Sequence, residues 1–134
     1  MLCFRLGEQL RPAENHDQLR SMKNKVQSPY ALAWVTAPDL RTARRIARLA
    51  LQQRLVACVQ LRDGVESHYW WRGKLEKARE VLLTFKTMTK KLPALESLVL
   101  EEHPYETPQF VSVPLGGGSS GYLAWIEAET SAPT

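Results

Sequence analysis

Residues 30–54 read YALAWVTAPDLRTARRIARLALQQR, and the change of period inside this stretch sets the fold. Tyr30 to Thr36 is short and apolar and lies between Pro29 and Pro38, the signature of a buried strand. Thr36-Ala37-Pro38-Asp39 then reads as a helix start, with a Thr cap, an early Pro and an acid three residues on. The helix is expected to run to about Arg54. Leu40, Ala43, Ile46, Ala47, Ala50 and Leu51 recur at helical spacing and form its inner stripe. Arg41, Arg44, Arg45 and Arg48 share another face, which reads as a solvated surface or as a patch for an anion or partner.

Moving outward, the same strand-then-helix order appears again. Glu80 to Thr87 (EVLLTFKT) alternates as a strand with Val81, Leu83 and Phe85 facing one way. Thr89 to about Glu102 fits a helix with Pro93 in its first turn and Leu95, Leu98 and Val99 on its inner stripe. It must end near His103, because Pro104 disfavours helical geometry in the residue before it. Between the two units, Val56 to Leu61 is a strand, broken at Arg62-Asp63-Gly64 and resumed from Val65 to Trp71 after a bulge. Arg72-Gly73-Lys74 reads as a hairpin turn. Pro108 to Leu115 is the last strand, Gly116 to Gly121 a loop, and Tyr122 to Thr130 a short helix anchored by Leu123 and Ile126.

The order is βαββαβ plus a terminal helix. Right-handed crossovers turn it into an α+β sandwich of the ferredoxin-like kind: an antiparallel sheet with two helices on one face. The 134 residues fit one domain, and a 44% hydrophobic content suffices for a core without metal or disulfide staples. The domain is expected over residues 29–130, preceded by a polar, disordered arm (1–28) and followed by a tail (131–134). Of the net charge of +4, the arm holds +2, from Arg5, Arg11, Arg20, Lys23 and Lys25 against Glu8, Glu14 and Asp17. A surplus spread that thinly argues against nucleic acid. No run is long or apolar enough for a membrane span or a signal-peptide core, so a cytoplasmic location is expected.

Enzymatic motifs are missing. There is no G-x-S-x-G elbow, P-loop, C-x-x-C or H-E-x-x-H. Cys58 sits in an apolar run and reads as a core thiol. Tyr69-Trp70-Trp71 places aromatics on both faces of one strand, which suggests that one face is buried against another subunit. His103 falls at a rigid corner, where a structural role outweighs that of a lone metal ligand.

Seven ordered blocks carry a resemblance: Thr36–Asp39, Arg54–Val59, Tyr69–Glu76, Glu80–Leu82, Phe85–Thr87, His103–Pro108 and Tyr122–Trp125. Over residues 30–127 the chain resembles the CutA divalent-cation tolerance family, including its mammalian-type members. The resemblance implies a homotrimer of ferredoxin-like subunits with no enzymatic activity, paired through long strands, with Tyr69, Trp70, Trp71 and Trp125 at the subunit interface. It implies a link to copper or another divalent cation in bacterial members, and a link to acetylcholinesterase processing through protein partners in animal ones. It also implies a likeness to the trimeric PII signalling proteins, hence a role as a small-molecule sensor. The family's copper ligands, a cysteine and a His-His pair, correspond here to Val35 and to Glu102-His103, and an acid of some members to Gln109. Glu102 and His103 are therefore the metal-site candidates, and copper binding is expected to be weakened, since valine coordinates nothing.

Overall fold

A computed structural model describes residues 28–134. The arm expected over 1–28 thus lies outside the described residues except for Ser28, which is tied into the domain. Its hydroxyl donates to the Leu115 carbonyl at 2.7 Å, and its own carbonyl accepts from the Thr89 hydroxyl at 2.7 Å.

The elements are β1 (Tyr30–Ala37), α1 (Leu40–Gln52), β2 (Cys58–Trp71), β3 (Lys74–Met88), α2 (Leu92–Glu102), β4 (Val111–Pro114) and α3 (Ser120–Ser131). A 3-10 turn, Thr89–Lys91, leads into α2. The strands form one antiparallel sheet in the order β2-β3-β1-β4. This is the βαββαβ topology expected from the periodicity.

The alternation of β1 decides which face is core. Ala31, Ala33, Val35 and Ala37 are buried to 1% exposure or less, and residues opposite one another in an antiparallel pair share a face. Val35 pairs with Leu83 and Ala33 with Phe85, so these side chains point together. Against them pack Ala43, Ile46, Ala47 and Ala50 of α1 and Leu95, Leu98 and Val99 of α2, closing one core. The alanines of β1 let the helices approach the sheet closely. Ile126 of α3 is also fully buried but stands apart from this cluster.

The helix start differs from expectation. Asp39 is the N-cap, and its carboxylate accepts from the Thr42 N–H at 2.7 Å, while Thr36 is still paired in β1. That hydrogen bond holds the Asp39 carboxyl below its ordinary range. Leu51, expected on the inner stripe, is instead 41% exposed, because it lies at the rim of the apolar arc.

β2 and β3 outrun the rest of the sheet. Their register shifts between Arg62 and Val65, the expected bulge, and beyond it seven further pairs continue from Val65–Glu80 to Trp71–Lys74 as a two-stranded arm. β3 therefore begins at Lys74, six residues before the sequence pattern shows it. The arm closes through Arg72 and Gly73, at φ 50° and 78°. Two consecutive left-handed residues match the twist of a tight hairpin. β4, in contrast, spans only Val111–Pro114, since Pro108 to Phe110 make no ladder with β1.

Candidate functional site

The corner at the end of α2 gathers the candidate residues. His103 caps the helix and turns to extended geometry (φ −82°, ψ 136°), as the proline after it requires. Its ring is buried and both nitrogens are used. Nδ1 accepts from the Tyr105 N–H at 3.1 Å, so Nε2 carries the proton and donates to the Thr36 carbonyl at 2.7 Å. The imidazole thus ties the end of α2 to the end of β1. Tyr105 packs on it, ring centroids 4.7 Å apart, and its hydroxyl donates to Glu80 of β3 at 3.2 Å. Burial, then the neighbouring Glu80 charge, pushes the Tyr105 phenol up to about 12. Next along, Glu106 receives Arg72 from the hairpin tip at 2.6 Å, and the Arg72 guanidinium also covers the Trp71 ring. The loop His103–Glu106 therefore clamps β1, β3 and the hairpin tip together.

Glu102 points elsewhere. Its carbonyl accepts from Arg45 at 2.8 Å, and its carboxylate stands 4.0 Å from the same guanidinium. Val35, where the resemblance places a thiolate, is fully buried in the core. Gln109 lies exposed before β4. Among the described residues no three His, Cys, Asp or Glu side chains stand close enough to hold a metal ion. A metal ligand needs a free lone pair, and His103 has neither nitrogen free. Glu102 and His103 are adjacent but are turned to different tasks, so within one chain these residues do not fit a copper or other divalent-cation site.

The interface candidates are of two kinds. Trp70 is 51% exposed, and its cross-strand neighbour Leu75 is 67% exposed, leaving an apolar pair open on one face of the arm. Trp125 is 40% exposed and stacks on Tyr122 at 5.5 Å. Tyr69 and Trp71 are half-buried on the arm's other face. The face of the sheet opposite α1 and α2 adds a feature the sequence pattern missed. Leu32 and Trp34 pair there with Val113 and Val111, both exposed. Lys86 on that face lies against the Tyr122 ring, so α3 crosses part of it. The signal available was the apolar character of both sets of alternating positions in β1.

A model of the family described as "CutA1 divalent ion tolerance protein" matches residues 31–129. The chain belongs to the CutA1 family. It is 44% identical over 93 residues to the divalent-cation tolerance protein CutA of Pectobacterium atrosepticum, covering 69% of this chain and 84% of that one. It is 38% identical over 105 residues to the mouse protein CutA, covering 78% of this chain but only 59% of the mouse chain. Among solved structures, CutA1 of Shewanella sp. SIB1 superposes with a TM-score of 0.76 at 39% identity, covering 78% of this chain and 98% of that one. The resemblance read from seven blocks and the ferredoxin-like fold of a CutA1 protein are thus both established. No helix among the described residues is long and apolar enough to cross a membrane.

Proposed function

We propose that this CutA1 protein works as a non-enzymatic homotrimer, built through its open sheet face and its hairpin arm, and that it binds copper only weakly. The observation that carries the reading is the apolar surface left open on two elements at once: Val111 and Val113 beside Trp34, and Trp70 beside Leu75. Exposed apolar groups clustered in this way mark an interface. β2 adds a 14-residue strand at the edge of the sheet, whose unpaired backbone groups invite a strand from another chain.

Weak copper binding follows from the ligand chemistry. Copper(I) favours thiolate and imidazole. The valine at 35 supplies no donor, and His103 would have to give up the hydrogen bond that its Nδ1 accepts from the Tyr105 N–H to offer one. A divalent-cation role, which the relatives' names carry, would then rest on Glu102 or on donors from several subunits. The nonenzymatic reading is supported by the use of His103, Tyr105 and Glu106 in structural bonds at the corner. The cytoplasmic location belongs to the same proposal, and fractionation of cells producing the tagged chain tests it.

The test is a copper titration of the reduced protein with its mass measured by sedimentation equilibrium. The reading expects three times the monomer mass and weak binding that His103→Ala leaves unchanged. Tight binding abolished by His103→Ala would overturn the metal part, and a monomeric wild type would overturn the assembly.

A further inference from the structure

α1 carries Arg41, Arg44, Arg45 and Arg48 and not one acidic residue. At 100° per residue these four fall within an arc of about 100°, on the side of the helix away from the core. All four are exposed. Arg45 is engaged by Glu102, the Asp39 cap charge is felt by Arg41 and Arg45, and among the described residues no carboxylate stands within 4.0 Å of Arg41, Arg44 or Arg48. The row is about 10 Å long, and its like charges stand three and four residues apart, where they repel. Leu51 lies at the edge of the arc, three residues after Arg48 and 41% exposed.

We infer that this row is a docking surface for an acidic segment of a partner protein, with carboxylates about one helical turn apart and an apolar side chain beside them. Guanidinium forks pair with carboxylates in bidentate fashion, and the row uses arginine at every position. Leu51 selects polypeptide over a phosphate backbone, which offers it no apolar contact. α1 also has no aromatic side chain on which a base would stack or that would anchor the helix at a lipid interface. A second copy presents the same positive row. Residues 1–27 hold five bases against three acids and have the wrong sign. The surface lies across the sheet from the open sheet face proposed for assembly.

The experiment is fluorescence anisotropy of the full chain with a labelled Glu/Leu/Ala helical peptide, its glutamates three and four residues apart. A single-stranded oligonucleotide and vesicles containing phosphatidylserine are run in parallel. The peptide should bind, and raising ionic strength from about 0.05 M to about 0.15 M should weaken it. Each lost guanidinium is expected to cost about two- to fivefold, so Arg41→Gln/Arg44→Gln/Arg48→Gln should bind about tenfold or more weakly. The variant Arg62→Gln/Lys74→Gln/Lys77→Gln loses the same charge on β2 and β3 and should bind as wild type does. Unchanged sedimentation and a single cooperative melting transition in both variants establish that they fold. Equal loss in the two variants would reduce the effect to net charge and overturn the proposal. So would absence of peptide binding, tighter binding of the oligonucleotide or the vesicles, or a change in oligomeric state on removing the row.

Discussion

His103 shows how a residue type that suggests chemistry can be used up by architecture. Its two hydrogen bonds join groups 67 and two residues away, and the longer one holds β1 to the end of α2. Replacing it by Ala strands a buried carbonyl and an amide, each costing about 1–3 kcal/mol. His103→Ala should therefore lower unfolding free energy by about 2–6 kcal/mol in urea titrations, whether or not copper is present. The proline after His103 made the corner legible in the sequence. Thr36 as its partner was not, because a backbone carbonyl leaves no mark in the residue pattern. Tyr105 gives a pH test. Its folded pKa, about 12, lies above the ordinary phenol value of 10.0, so the fold disfavours the phenolate. The stabilisation is complete below pH 10 and is lost as pH rises toward 12. The melting temperatures of wild type and Tyr105→Phe should thus differ by a constant amount from pH 7 to 9, and wild type should lose ground to the variant above pH 10. A parallel decline in both would refute the assignment.

At the scale of elements, the readable parts were those with apolar periodicity, namely β1, α1, the inner half of β3 and α2. The outer half of β3, Lys74–Arg79, is exposed on both faces but for the half-buried Ala78. It has no period to read and is a strand only because β2 pairs with it. β4 was overread for the opposite reason: Pro108-Gln109-Phe110 has strand composition, but no ladder reaches it. In the turn that joins β2 to β3, Gly73 is required by backbone geometry and by no packing contact. A Cβ at Gly73 would meet nothing within 4 Å, yet φ there is 78°. Gly73→Ala should therefore cost about 1 kcal/mol, all of it conformational. Chemical denaturation should show a shifted midpoint with unchanged slope. α1 pulls the other way. Replacing Arg41, Arg44 and Arg48 by Gln relieves like-charge pairs worth about 0.2–0.5 kcal/mol each. That variant should melt slightly above wild type at low salt, with the gain shrinking as salt is added. That gain would mark the row as a surface kept for a partner rather than for folding.

On the scale of the whole molecule, the sheet has two faces and only one is satisfied. The helices α1 and α2 cover the first, while α3 covers part of the second and leaves Val111 and Val113 open. The arm leaves Trp70 and Leu75 exposed among the described residues. The aromatic run at 69–71 announced this surplus in the sequence, but the apolar strip on the sheet emerges only when β1 and β4 are paired. Burying a large apolar side chain contributes about 1.5–3 kcal/mol, and a closed three-fold assembly would bury each of these three times over. A charge placed there should act on assembly without touching the core, because these side chains already face water in the single chain. Val113→Asp and Leu75→Asp should each keep the circular dichroism of the folded sheet and helices. Both should sediment below the trimer mass, and their melting temperatures should rise with protein concentration, as mass action demands of a weakened oligomer. If instead both variants melt and sediment as wild type does, the open faces are not joined to one another. The arm would then have to find its cover on a different protein.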